Sequence, residues 1–267
     1  MNKRTAILIL SCDRFADLWE GQIRLLEENW FDREADTYIV CEGTEERHIP
    51  GVQILRAGEG TEWSERLGYA LEQIRSEYVF ITLDDYYLIQ KVENRGIQEL
   101  MDMMESEKID YVRLFSRPKR ARREEIRGYR KIHRIDISCD YSVNLYPGIW
   151  KKEFLASTIR KTMNAWQYEV FLHKRAEEYG ARCAVSLRNE YRILDVVRKG
   201  KILHKAAAYF RKHPGIYNGG REIISRKDEI KLTIQQQFAR HLPLPVKNAV
   251  KRFMTKRGHQ YYSDMKE

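Results

Sequence analysis

The 267-residue chain has no apolar stretch approaching the roughly 18 residues that span a bilayer, and its run Thr5-Ala6-Ile7-Leu8-Ile9-Leu10 is too short for a signal-peptide core. The expectation is a cytoplasmic protein. Cys12, Cys41, Cys139 and Cys183 are scattered without a Cys-x-x-Cys spacing, so neither a zinc site nor a disulfide framework is indicated. Reduced, mainly structural thiols are expected. Gly58 and Gly60 are followed by Trp63 rather than a third glycine, and no Gly-Lys-Ser/Thr loop occurs. This argues against a dinucleotide dehydrogenase and a P-loop enzyme. There is no internal repeat and no low-complexity tract.

With 43% hydrophobic and 33% charged residues, the composition is that of a globular protein long enough for one large domain with an appendage. Its net charge of +9 is concentrated. Between Arg117 and Arg134 stand nine Lys/Arg and two Glu, +7 of the total. Such a run suits phosphates or anionic headgroups as well as RNA. An RNA groove needs interleaved aromatics, and Tyr129 stands alone here, so no nucleic acid is expected. The segment reads either as a loop over an active site, meeting a diphosphate or a phosphorylated acceptor, or as a solvated loop.

Apolar periodicity gives the order of elements. Thr5 to Leu10 reads as a buried strand, Ser11 to Arg14 as a turn, and Phe15 to Trp30 as a helix. Strands follow at Thr37 to Val40 and Gly51 to Leu55, then a helix capped by Thr61, then the strand Tyr78 to Leu83. This alternation predicts an open α/β sheet with parallel strands. A helix over Ile97 to Met104 and a strand at Tyr111 to Phe115 come next, before the basic segment interrupts the fold. Ile135 to Ser138 and Tyr141 to Tyr146 read as extended, followed by a helix around Phe154 to Ile159, a helix from Asn164 to Tyr179, and a last strand at Ala181 to Leu187. Gly200 to Lys205 looks like a short strand, and Pro214 to Gly220 a loop.

The unbroken apolar strand ends in Asp84-Asp85. Strands buried on both faces place ligands at their carboxyl ends, and two adjacent carboxylates there suit a hard divalent cation bridged to phosphate oxygens. The same pair also fits an ordinary turn or helix cap.

The acidic pair, the Thr61-Glu62-Trp63-Ser64-Glu65-Arg66-Leu67 helix start, the segment from Pro147 to Leu155 and Trp166-Gln167-Tyr168-Glu169 occur in an order that resembles bacterial glycosyltransferases of the GT-A fold, of the kind encoded in surface-polysaccharide loci. The resemblance covers roughly residues 5–205, with 206–267 a C-terminal helical extension. It implies an α/β GT-A-like fold, open and mostly parallel. It implies transfer of a sugar, with inversion, from a nucleoside-diphosphate sugar to a glycan or lipid-linked acceptor, with Mn2+ or Mg2+ as cofactor. Ser11, Asp13 and Arg14 would line the nucleoside, and Arg66 and Lys205 would reach the diphosphate. Asp84, Asp85 and His204 would hold the metal and Glu169 would be the base. Trp150, Trp166 and Tyr168 would bound the acceptor. Tyr86 stands where the family's spaced second acid usually lies. The competing readings are a sugar-phosphate nucleotidyltransferase, disfavoured by the missing glycine-rich loop after the first strand, and an RNA- or anionic-surface-binding protein.

Near the end, Val246, Ala249, Val250, Phe253 and Met254 follow helical spacing, with Lys247, Lys251, Arg252, Lys256 and Arg257 on the remaining surface. Such a basic amphipathic helix can lie on the inner face of a membrane, or pack onto the domain or a second subunit.

Overall fold

The computed structural model describes residues 3–44, 46–115, 123–138, 142–188 and 190–241, the last helix by backbone alone beyond 234. The basic helix expected at 246–257 and the start of the basic segment, 117–122, lie outside the described residues. The chain divides into two units, one of Met1–Asp195 with Pro214–Gly219, the other of Val196–His213 with the residues from Gly220 on. This division begins earlier than the 205/206 boundary expected.

The first unit opens with β1 (Thr5–Leu10), a 3-10 turn (Asp13–Leu18), α1 (Trp19–Asn29), β2 (Ala35–Cys41), β3 (Val52–Arg56), α2 (Trp63–Gln73) and β4 (Tyr78–Leu83). It continues through β5 (Tyr86–Leu88), α3 (Asn94–Ser106), β6 (Tyr111–Arg113), β7 (Arg123–Glu125), β8 (Ile132–Ile135) and β9 (Gly148–Lys151). α4 (Lys152–Ser157), α5 (Ala165–Tyr179), β10 (Cys183–Ser186) and β11 (Ile193–Asp195) complete it. One sheet has the order β3-β2-β1-β4-β9-β6-β10-β8-β7, and in it only β8 and β9 run against the others. The small sheet β11-β5 is separate and antiparallel.

The apolar strands lack alternation because both faces are covered. Ile7, Ile9 and Phe80 belong to a core with Trp19, Ile23 and Trp30 of the α1 region and the methionines of α3, while Ala6, Leu8, Val79 and Ile81 pack with residues of α2, α4 and α5. Fully burying one such side chain contributes about 1.5–3 kcal/mol.

Three local expectations differ from the structure. The cap of α2 is Glu62, in a reciprocal capping box with Glu65, while the Thr61 hydroxyl donates to Gly58 O. Ser142 to Tyr146 is irregular rather than a strand. The basic segment, from Arg123 on, forms the β7–β8 hairpin at the sheet's edge, because Ile126 and Ile132 are buried and its charges face outward.

In the second unit, β12 (Val197–Arg198) and β13 (Lys201–Ile202) pair across a two-residue turn in which Lys199 and Gly200 both have positive φ. α6 (His204–Lys212) and α7 (Arg226–His241) follow. His204 and Lys205 therefore open a helix instead of ending a strand. Among the described residues, no helix is long and apolar enough to cross a membrane.

Candidate functional site

β1 and β4 are hydrogen-bonded neighbours with Leu10 opposite Leu83, so Ser11 and Asp84 leave the sheet side by side at its carboxyl edge. The Ser11 hydroxyl donates to Asp84 Oδ2 at 2.6 Å and accepts from Trp19 Nε1–H at 2.7 Å. Gln22 of α1 donates to the carbonyls of Leu83, at 2.7 Å, and Tyr86, at 3.2 Å, and so clamps the turn between β4 and β5. Asp84-Asp85 is thus a turn, as the plainer reading had it, and it lies at the edge where an open α/β sheet receives ligands.

Asp13 reaches across to the loop after β2, accepting from Gly43 N–H at 3.1 Å, Thr44 N–H at 2.6 Å and the Thr44 hydroxyl. Burial alone would raise its pKa, but the hydrogen bonds from Thr44, Gly43 and Cys41 outweigh it and bring the carboxyl down to about 2. Its own N–H donates to Glu42 Oε2 at 2.7 Å. Glu42 in turn holds Arg66, 2.8 Å away and only 8% exposed, so that this guanidinium is fixed by the protein rather than by solvent. Arg14 is exposed and lies over the Phe15 ring. The Cys12 thiol is pushed up to about 11 by burial and by the charges of Asp84 and Glu42, so it stays protonated and is a poor nucleophile.

A second group forms around Tyr86. Its ring stacks on Tyr146, 5.9 Å between centroids, and Tyr146 stacks on Phe115 at 4.7 Å. The β5–β11 register sets Asp195 opposite Tyr86. Burial first, then the nearby Asp85, Tyr146, Asp195 and Glu169, push the Tyr86 phenol far above its ordinary value. Glu169, in the first turns of α5, is pushed up by burial, opposed by a long 3.4 Å hydrogen bond from Leu145 N–H. The helix start that carries it is fixed by Asn164, whose side chain caps Gln167 N–H while Gln167 reciprocates. Asp85, Asp195 and Glu169 thus each bear electrostatically on Tyr86, which forms a half-buried aromatic shelf with Tyr146 and Phe115. The sequence reading missed Tyr86, Tyr146, Phe115 and Asp195, because their meeting depends on pairing between distant strands.

Two acceptor residues are corrected. Trp150 is fully buried in the core against Tyr111 and Phe154, and Tyr168 is 3% exposed, packed on Trp63 and hydrogen-bonded to Thr158. Neither has a face for a ligand. Trp166 is 67% exposed, three residues before Glu169 in the same helix. His204 and Lys205 belong to the second unit, where His204 Nδ1 meets Glu229.

Among the described residues no three His, Cys, Asp or Glu side chains gather as a metal cage. Asp84 and Asp85 still fit a hard cation of the Mg2+ type, which takes one or two carboxylates and completes its shell with water and substrate phosphates.

The fold and this edge define an α/β architecture of the GT-A/nucleotidyltransferase-like class, with a mixed, mostly parallel open sheet flanked by helices. No protein-family model and no curated protein sequence matches the chain. Among solved structures it is similar to S. aureus TarS 1–349, at 12% identity over 72% of this chain and 59% of that one, TM-score 0.50. It is also similar to a longer S. aureus TarS, at 10% identity over 72% of this chain and 36% of that one, TM-score 0.51. The chain thus spans less than two thirds of either protein. The 2-C-methyl-D-erythritol 4-phosphate cytidylyltransferase of Thermus thermophilus matches at 10% identity over 73% of this chain and 93% of that one, TM-score 0.44. TarS 1–349 has also been solved in complex with UDP and with UDP-GlcNAc.

Proposed function

We propose that the protein is a glycosyltransferase that moves a sugar, with inversion, from a nucleoside-diphosphate sugar to a glycan or lipid-linked acceptor. The observation that carries this reading is the convergence of Asp85, Glu169 and Asp195 on the Tyr86–Tyr146 shelf, beside the Ser11–Asp84 pair. The UDP and UDP-GlcNAc complexes of TarS 1–349, which shares the fold, agree with a nucleotide-sugar donor.

In this reading Ser11, Asp13 and Arg14 border the nucleoside, and Arg66 stands by the diphosphate. Asp84 and Asp85 would hold a divalent cation, which when bound supplies positive charge beside the donor's phosphates. The Glu169 carboxylate takes the proton of the acceptor hydroxyl as that oxygen attacks the anomeric carbon, and the carbon–oxygen bond to the diphosphate breaks on the opposite side. The transition state has oxocarbenium character, as in glycoside hydrolysis. The raised pKa of Glu169 suits the task, since a base is more effective as its pKa approaches the working pH. Tyr86, Tyr146 and Phe115, not Trp150 or Tyr168, offer flat faces to a sugar ring, with Trp166 at the rim.

The test is nucleotide release over a panel of nucleotide sugars, UDP-GlcNAc first, with and without Mn2+ or Mg2+. Asp85→Asn is expected to abolish turnover. Glu169→Gln is expected to lower transfer by about 10²–10⁴-fold, the usual contribution of a general base. Undiminished transfer by the Glu169 variant would remove the assigned base. Absence of release from every donor, with pyrophosphate formed from a nucleoside triphosphate and a sugar phosphate, would replace the transferase reading by a nucleotidyltransferase.

A further inference from the structure

The donor-side site does not use a second cleft among the described residues of the first unit. That cleft, about 730 Å3, lies between α3 and the loop of the β7–β8 hairpin and is lined by Glu99, Asp102, Tyr129, Arg130, Lys131 and Arg188. Its acids are matched: Glu99 pairs with Arg95 at 3.2 Å and Arg188 at 3.5 Å, and Asp102 pairs with Arg4. Arg188 is further held by Glu190 at 2.6 Å. Arg130 and Lys131 are exposed and have no acidic partner among the described residues, and with Arg188 they set three cations against the two carboxylates of the lining.

The loop that presents Arg130 and Lys131 is built, not slack. Lys131 has φ 64°, a left-handed conformation that L residues seldom adopt, and its carbonyl accepts from Leu187 N–H at 2.8 Å. At the loop's base Ile126 N–H donates to Ile132 O at 2.9 Å, and both side chains are buried. The loop also lies at the same edge of the sheet as Asp84. Ile132 pairs with Ser186 at the carboxyl end of β10, and β10 runs in the direction of β1 and β4. From β4 through β9, β6 and β10 to β8 the separation is about 19 Å, at roughly 4.8 Å per strand step.

We infer that this cleft binds phosphate groups of the acceptor, so that the acceptor is a phosphate-bearing chain held at a distance from its reacting hydroxyl. The inference rests on the transferase reading for its word acceptor, but not for its ligand chemistry. A guanidinium grips a phosphate through two parallel hydrogen bonds and an adjacent ammonium adds a point charge. A tetrahedral phosphate presents its oxygens to both groups at once, where a planar carboxylate offers two oxygens in one plane. Phosphates in a glycan and phosphates in a lipid headgroup share this chemistry.

The test uses the full chain, labelled inorganic polyphosphate, phosphatidylglycerol vesicles, and polyglutamate as a carboxylate probe. Arg130→Ala/Lys131→Ala is compared with Arg75→Ala/Lys161→Ala, which removes the same charge elsewhere on the surface. Wild type is expected to bind polyphosphate in a salt-sensitive way, with the cleft variant weaker by about tenfold or more and the control nearly unchanged. A loss confined to vesicles assigns the phosphate to a lipid-linked acceptor, and a loss confined to polyphosphate assigns it to a soluble chain. Equal affinity of wild type and cleft variant, an equal loss in the control, or polyglutamate bound as tightly as polyphosphate would overturn the site. Donor hydrolysis measured alongside keeps the two readings apart: its absence in every protein sinks the transferase while leaving the phosphate cleft, and its persistence in a cleft variant that still binds polyphosphate does the reverse.

Discussion

Ser11 uses one hydroxyl twice, as acceptor from the Trp19 indole and as donor to Asp84, and all three groups are buried. Ser11→Ala leaves the indole N–H without its acceptor and takes a donor from the carboxylate. The expected loss is about 1–3 kcal/mol, the cost of stranding a buried polar group, read from the urea midpoint. A change below about 0.5 kcal/mol, the scale of an ordinary surface substitution, would mean that water or a shift of α1 replaces the hydroxyl. The placement of Ser11 and Asp84 at the sheet's carboxyl edge was legible in the sequence because both follow unbroken apolar strands. That signal needs only strand neighbours and the rule that ligands gather at carboxyl ends. Trp150 and Tyr168 were misread for the opposite reason. An aromatic beside a turn or a helix start has the same local pattern whether it faces solvent or core, and only packing against Tyr111, Phe154 and Trp63 decides. Asp195 carried no local signal at all, since what distinguishes it is its register opposite Tyr86.

At the scale of elements, β9 is the unexpected one. It inserts antiparallel between β4 and β6, and its first residue, Gly148, is pressed into the sheet. A methyl group there would stand 2.7 Å from the Tyr111 ring and 2.9 Å from Val112 O. Gly148→Ala is therefore expected to cost about 1–3 kcal/mol, as overpacking of a core does, and to disturb the Tyr146 end of the aromatic shelf that precedes it. Thermal unfolding checks the first effect and donor hydrolysis the second; an unchanged melting temperature would show that the Tyr111 ring moves aside freely. The alternation of strand and helix over the first 85 residues could be read because each element keeps a single apolar period. The β7–β8 hairpin could not. Its buried residues, Ile126, Ile132 and Ile135, are separated by a run of exposed charge, and composition dominates such a stretch when pattern is sought over a short window. The helix opened by His204 was read as strand because only Ile202 and Leu203 before it are buried, a length too short to separate the two periods.

For the whole molecule, the two titrating carboxyls of the site pull stability in opposite directions. Asp13 sits near 2 when folded against an ordinary 3.8, so its contribution is present above about pH 4 and is lost as the pH falls through 3.8 towards 2. Glu169 is raised by burial, so its charged form penalises the native state near neutrality, and the penalty is relieved as the pH falls through its raised value. Stability is therefore expected to be greatest at mildly acidic pH, above the range in which Asp13 is protonated. The net charge of +9 grows as carboxylates are neutralised, and self-repulsion then steepens the acid limb in every variant. Differences between variants are the cleaner measure. In urea titrations across pH, Glu169→Gln is expected to equal or exceed wild-type stability at pH 7 and to remove the rise on acidification. Asp13→Ala is expected to be less stable at pH 7, having stranded Gly43 and Thr44 N–H, and to show a shallower fall between about pH 4 and pH 2. A Glu169→Gln protein that is less stable at neutral pH would identify Glu169 as a structural partner of Leu145 rather than a base held at a cost in stability. That outcome can be separated from catalysis, because stability and transfer are expected to move in opposite directions in the same variant.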